Sequence, residues 1–320
     1  MISIVICHRD KELLAQVKAN IAATIGVEYE VIAVDNTSNQ YNIFQAYNKG
    51  FEESKYPLVA FAHEDILFHT QQWGEVLIRH FQDPSIGALG TIGGTAFPNC
   101  PAPWWSNPVL NQPLVNLIQH CKDQQPDPSW IKEVIDREKN IIHEYMNPGE
   151  KLVADVVALD GLFICVRKSL YPACRFDTTV FNGFHCYDTD ICLQVLQAGA
   201  RVVVVFDLLI EHLSMGSINK VWAESVEKLA DKWQDKLPVF IGAADPARIH
   251  QFNCKALLTY CYWIQQLKFS DSRIMGLISK YLRKPAGFRG SREYLLLRLW
   301  KMLGYRMAGI PYRFLKQFYK

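Results

Sequence analysis

An α/β fold with a mainly parallel central sheet and flanking helices is what this 320-residue sequence predicts. Three observations carry the expectation. Short apolar runs at 2–7, 30–35, 58–62 and 86–91 alternate with stretches of helical spacing at about 10–25, 42–54 and 71–82. Such alternation is the pattern of parallel strands joined by helical crossovers. The run Leu58 to Ala62 is apolar throughout, as expected of a strand covered on both faces. It ends abruptly in His63-Glu64-Asp65.

The first strand reads Ile2-Ser3-Ile4-Val5-Ile6-Cys7, and the second, Val31-Ile32-Ala33-Val34, closes in Asp35-Asn36-Thr37-Ser38. In open parallel sheets ligands bind beyond the carboxyl ends of the strands, so strand-end acids are placed to hold a cation. The hard oxygens of Glu64 and Asp65 suit Mg2+ or Mn2+ with the phosphates of a substrate. A solvated turn is the competing reading of the same cluster.

Residues 97–127 break the rhythm, with prolines at 98, 101, 103, 108, 113 and 126 around Trp104-Trp105. They read as a long loop, and long loops in compact domains are often lids or binding loops. Trp104 and Trp105 either stack on a ligand ring or anchor the loop. A helix is expected over about 129–146.

Further on, Phe181-Asn182-Gly183-Phe184-His185-Cys186-Tyr187-Asp188-Thr189-Asp190 leads into a helix through Leu196. Acids in a first helical turn also favour the helix dipole, so Asp190 reads either as a cap or as a site residue. A strand at 201–206 and the segment Leu209-Ile210-Glu211-His212-Leu213-Ser214 follow.

The last fifty residues differ in kind: 271–320 hold twelve Lys and Arg against Asp271 and Glu293, so this stretch carries +10 and the remainder −8 of the whole-chain +2. Such asymmetry points to an anionic partner. Tyr294 to Leu303 reads as a helix with a broad apolar face, and Phe314, Phe318 and Tyr319 sit among Arg313, Lys316 and Lys320. Basic amphipathic helices lie on anionic bilayers. A helical tail packed on the α/β domain or on a second copy is the alternative. No recognition motif for nucleic acid accompanies the charge.

At 49% hydrophobic, the chain can bury one sizeable core and a smaller added one. Its first apolar stretch stops at His8-Arg9-Asp10, too soon for a secretion signal, and no run approaches the ~20 apolar residues of a membrane span. A cytoplasmic protein, peripheral on the inner face of the membrane, is expected. The nine cysteines form no Cys-X-X-Cys pair and read as reduced, buried residues.

The order of these landmarks (first strand, Asp35, His63-Glu64-Asp65, Asp160-Gly161, Tyr187-Asp188-Thr189-Asp190, His212) resembles the family-2 glycosyltransferases, in particular a bacterial glycosyltransferase-like subgroup, over about residues 1–215. The resemblance implies a GT-A nucleotide-diphospho-sugar transferase fold over 1–240, with 97–150 as an insertion and 241–320 as a helical basic extension. It also implies roles. Asp35 contacts the donor nucleoside, and His63-Glu64-Asp65 takes the place of the family's Asp-X-Asp on the donor side. Asp65 is then the metal ligand, joined by His212. Asp160 and Gly161 shape the acceptor side, and Asp188 is the base. Tyr187 and Asp190 flank that base near the acceptor. The chain departs from the pattern twice, with His63 in place of an acid and Tyr187 in place of a glutamate.

The implied activity is Mn2+- or Mg2+-dependent, inverting transfer of a sugar from a nucleotide sugar, a UDP-sugar being expected, to a glycan or lipid-linked hydroxyl. A sugar nucleotidyltransferase would need a glycine-rich basic loop after the first strand, and Cys7-His8-Arg9-Asp10-Lys11 has no glycine. A non-catalytic nucleotide-sugar or glycan binding protein with the same fold is the other alternative.

Overall fold

Ile2, Ile4, Val5 and Ile6 are fully buried, and every residue of Leu58–Ala62 and Ile86–Gly90 is buried too. These runs are strands because both of their faces are covered. The computed structural model describes residues 1–105, 109–122, 128–171, 173–282 and 292–303. Phe314, Phe318, Tyr319, Arg313, Lys316 and Lys320, assigned above to the tail's membrane face, lie outside the described residues.

In chain order the elements are β1 (Ile2–His8), α1 (Lys11–Thr24), β2 (Tyr29–Asp35), α2 (Ile43–Glu53), β3 (Leu58–Ala62), β4 (Ile66–Phe68), α3 (Trp73–His80), β5 (Ile86–Gly90), β6 (Ile92–Gly94), β7 (Ala96–Phe97) and β8 (Pro113–His120). There follow β9 (Ile131–Asp136), β10 (Ile141–Met146), β11 (Val153–Val156), β12 (Ala158–Leu159), β13 (Phe163–Arg167), α4 (Tyr187–Gln197), β14 (Arg201–Val205) and β15 (Ile210–His212). The last are α5 (Lys220–Lys232), β16 (Val239–Phe240), α6 (Pro246–Gln266), α7 (Asp271–Tyr281) and α8 (Arg292–Leu303).

By their packing, residues 1–95 and 112–218 form one unit, and residues 96–111 and 219–320 form another. The first is built on a seven-stranded sheet, ordered β11-β14-β5-β13-β3-β1-β2. β1, β2, β3, β5 and β14 run one way, while β11 and β13 run against them. The mainly parallel sheet is therefore present, with β13 wedged antiparallel between β3 and β5.

Local chemistry sets the helices. Asp10 caps α1 by accepting from the amides of Glu12 and Leu13 at 2.8 and 3.1 Å, a cap worth about 1 kcal/mol. Asn42 and Gln45 form a reciprocal capping box at the start of α2. The apolar face of α2, Ile43, Phe44, Tyr47 and Phe51, is buried. Gly50 lets that helix lie on β1, because a Cβ there would stand 2.2 Å from Val5 Cγ1.

Two expectations are corrected. Residues 129–146 form no α-helix: after a 3-10 turn at Pro128–Trp130, Ile131–Asp136 and Ile141–Met146 are the antiparallel strands β9 and β10. The β-branched residues of both runs favour a strand. Asp136 accepts from the amides of Glu138 and Lys139, and Asn140 takes φ 52°, which together turn the chain. The proline-rich stretch is likewise not loop throughout, since Pro113–His120 is β8, the centre of a second sheet. Along one edge β8 pairs β6 and then β15, and along the other it pairs β10. The proline is compatible because it opens the strand.

In the second unit α6 and α7 are joined by α8, which buries Tyr294, Leu297 and Trp300 and exposes Leu295 (54%) and Leu299 (47%). Among the described residues no helix is long and apolar enough to cross a membrane. All nine cysteines are free, and all but Cys7 are buried.

Candidate functional site

The ends of β1, β2 and β3 lie side by side, with His8 opposite Asp35 and Ile6 opposite Ala62. Three residues from this edge and from the second sheet converge. His63 follows β3, Asp65 precedes β4, and His212 closes β15, whose pairing places it opposite Ile66 on one side and Gln119 on the other. His63 Nδ1 is 3.8 Å from Asp65 Oδ1, and His212 Nε2 is 3.6 Å from Asp65 Oδ2. One ligand atom from each of the three lies within 4.8 Å of the others.

Electrostatics leaves these groups ready for a cation. Burial, with repulsion from His212, pushes the His63 imidazole below its usual pKa, and burial does the same to His212. Both rings are thus neutral at pH 7 and keep a lone pair. Burial opposes ionisation of Asp65, but the two imidazoles and the Ser214 hydroxyl outweigh it and hold the carboxyl below the ordinary range. His212 is 8% exposed, and its Nε2 is buried with no hydrogen-bond partner. An unsatisfied buried nitrogen costs free energy unless a ligand meets it. A neutral imidazole pair with an ionised carboxylate is a donor set that fits a divalent ion.

The other half of the site is held by α4. Cys186 precedes this helix at φ 71°, a left-handed conformation that costs a cysteine roughly 1–3 kcal/mol and that recurs at functional sites. Tyr187 and Asp188 follow it directly. The Tyr187 hydroxyl lies 2.6 Å from His63 Nε2 and donates to Gly161 O at 3.0 Å. A Cβ on residue 161 would meet that hydroxyl at 2.1 Å, so only glycine fits. Tyr187 is buried, and its hydroxyl supports His63 in place of facing an acceptor.

Asp188 Oδ1 accepts from the Thr189 amide at 2.7 Å. Burial first, then the charge of Asp160, push its carboxyl up to about 7 against hydrogen bonds that act the other way. Asp160 also acts electrostatically on His63 and His212, so its carboxylate is felt by both the metal-type cluster and Asp188. A carboxyl poised near neutrality beside a cation-type cluster suits proton transfer.

The remaining expected residues are placed as follows. Asp35 is exposed at the end of β2, and Thr37 holds it through its amide and hydroxyl at 2.9 and 2.8 Å. Glu64 spends Oε2 on the amides of Arg9 and Asp10, tying β3 to the start of α1. Asp190 is fully buried and receives Gln194 Nε2 at 2.8 Å, so it is closed to an acceptor. Trp104 and Trp105 belong to the second unit. Trp104 is 5% exposed, which leaves no ring face for a sugar, whereas Trp105 stacks toward Trp222 and stays partly open.

Three further residues of the site carry no assigned role in the sequence analysis. Gln119 accepts from His212 Nδ1 at 3.2 Å and donates to the His212 and Ser214 carbonyls. Phe184 is 45% exposed, with its ring 5.8 Å from that of His63. His8 is buried at the end of β1 with Nδ1 unpartnered. Gln119 lies in β8, inside the stretch whose prolines predict a loop, and Phe184 and His8 stand within the quoted motifs.

Residues 3–241 match the glycosyltransferase like family, and the chain belongs to it. Among curated proteins it is 25% identical over 170 residues to the streptomycin biosynthesis protein StrF of Streptomyces griseus. That match covers 52% of this chain and spans about half (50%) of the relative's length. Among solved structures the fold matches the mannosyltransferase PcManGT of Pyrobaculum calidifontis in complex with GDP-Man and Mn2+, with a TM-score of 0.50 and 13% identity, over 96% of this chain and 82% of that one. The GT-A fold that the landmarks implied is the fold of the chain.

Proposed function

We propose that the protein transfers a sugar from a nucleotide-sugar donor to a hydroxyl acceptor, with inversion at the anomeric carbon, and that the reaction needs a divalent ion. The convergence of His63, Asp65 and His212 on the unsatisfied His212 nitrogen, with Asp188 linked to them through Asp160, carries this reading. Membership of the family supports it, as does the bound GDP-Man and Mn2+ of the mannosyltransferase.

When bound, the ion supplies Lewis-acid neutralisation of the departing nucleoside diphosphate. Asp65, His63 and His212 would hold it, and Asp35 at the neighbouring strand end would meet the nucleoside. Asp188 takes the acceptor's proton during attack, a contribution of roughly 10²–10⁴-fold in rate. Inversion follows because this reading uses Asp188 as base and needs no second, nucleophilic carboxylate. Asp160 keeps Asp188 basic enough to act by resisting its ionisation.

The acceptor in this reading is a glycan or lipid-linked hydroxyl at an anionic membrane face inside the cell. The exposed Leu295 and Leu299 among the tail's basic residues support that placement. Incubation with Mn2+ and a panel of UDP- and GDP-sugars tests the activity. Release of nucleoside diphosphate is expected with one donor, and its absence across the panel would leave a sugar-nucleotide binding protein.

A further inference from the structure

The two positions at which the chain departs from the acidic pattern touch each other. Tyr187 has one hydroxyl proton, and the Gly161 carbonyl, 3.0 Å away, can only accept. Both of Tyr187's contacts are hydrogen bonds in one arrangement only: the hydroxyl donates to Gly161 O and accepts from His63 Nε2–H at 2.6 Å. His63 is then protonated on Nε2, and its lone pair sits on Nδ1, the atom 3.8 Å from Asp65 Oδ1.

His212 is fixed in the opposite sense. Gln119 commits its amide nitrogen to the carbonyls of His120, His212 and Ser214, so its Oε1 is left to accept. Oε1 lies 3.2 Å from His212 Nδ1, which therefore carries the proton. The lone pair is on Nε2, the buried atom without a hydrogen-bond partner, 3.6 Å from Asp65 Oδ2. Partners of this kind fix a ligand imidazole's tautomer and orientation.

We infer that Tyr187 and Gln119 are the positioning residues that turn the lone pairs of His63 and His212 toward the ion held with Asp65, so that the ion takes mixed nitrogen–oxygen ligation. The inference rests on the metal-dependent reading above and adds to it the residues that orient the ligands. Mg2+ prefers oxygen ligands and binds through one or two carboxylates, whereas imidazole favours transition ions. An acid at residue 63 would give oxygen ligation, and histidine replaces it with nitrogen. The hydroxyl of Tyr187 meets that histidine where a carboxylate would have added a second negative charge.

The experiment uses the full chain with GDP or UDP and titrates Mn2+ and Mg2+ separately by calorimetry. Pulsed electron paramagnetic resonance of the Mn2+ complex reads directly bonded ¹⁴N. The expected result is Mn2+ binding at least about 100-fold tighter than Mg2+, with imidazole nitrogen coupling. Loss of one supporting hydrogen bond weakens metal affinity about 10–100-fold. Tyr187→Phe should therefore weaken Mn2+ by that factor, leave Mg2+ nearly unchanged and reduce the nitrogen coupling. His63→Asp should narrow the ratio without touching Tyr187, which keeps the test decisive if the phenylalanine variant does not fold. Equal binding of the two ions, or no nitrogen coupling, with nucleotide binding still ion-dependent, overturns this inference alone. Nucleotide binding indifferent to any divalent ion overturns the metal-dependent reading and the inference with it.

Discussion

The hydroxyl of Tyr187 lies 2.6 Å from Nε2 of His63, across 124 residues of sequence. The contact ties the first turn of α4 to the end of β3. The segment that carries the proposed base is thus fixed against the one that carries the proposed metal ligands. The same hydroxyl reaches Gly161 O, so three chain segments meet at one oxygen.

Asp65→Asn should abolish ion-dependent binding of a nucleoside diphosphate while leaving the fold intact. Asp65 is the only carboxylate among the three converging groups. Calorimetry with GDP or UDP and Mn2+ checks it, and binding at the parent's affinity with ion dependence retained would remove Asp65 from the ligand set.

Asp188→Asn should keep donor binding and lower turnover by roughly 10²-fold or more, since an amide cannot take the acceptor's proton. In the parent, turnover should fall as pH drops through about 7, where the Asp188 carboxyl gains its proton. A profile flat between pH 6 and 8 at saturating donor would reassign the base.

The same carboxyl predicts a stability signature. Between the unfolded value of 3.8 and about 7 the folded protein holds a proton that the unfolded chain has lost. Stability therefore declines as pH rises through that window, by at most about 4 kcal/mol, at 1.36 kcal/mol per pKa unit. Asp188→Asn removes the penalty, so its Tm should exceed the parent's at pH 8 and match it near pH 4. Equal differences at both values would show that Asp188 ionises freely.

Gly161→Ala should displace Tyr187, because the added methyl would stand 2.1 Å from its hydroxyl. Overpacking of this kind costs about 1–3 kcal/mol. Mn2+ affinity should fall along with the loss of stability, as His63 loses its partner. A crystal structure of the variant with the Tyr187–His63 distance unchanged would refute this.

Deleting the tail would be a poor test of membrane attachment, because α8 buries Tyr294, Leu297 and Trp300. The double substitution Leu295→Glu, Leu299→Glu changes exposed positions alone. It should reduce sedimentation with phosphatidylglycerol vesicles and leave Tm within about 1 °C, surface changes being small in stability. Added salt should weaken the parent's attachment. A parent that ignores the vesicles would make the tail a packing element.

The sequence by itself determined the sheet's first three strands and the acids at their ends, since a strand buried on both faces is written as one apolar run. It also determined the helices of the first crossovers, whose caps Asp10 and Asn42 are local signals. Residues 131–146 escaped it because an antiparallel hairpin and a helix draw on the same apolar content, and the turn chemistry of Asp136 and Asn140 decided between them. The site was legible as a set of residue types but not as a set of contacts. Only the tertiary structure, by pairing β15 with β8 and β4, brought Gln119 against His212 and His212 against Asp65, and closed Tyr187 onto His63. Hydrogen bonds between segments 90 to 125 residues apart leave no periodicity in the chain; they exist only once both sheets have formed.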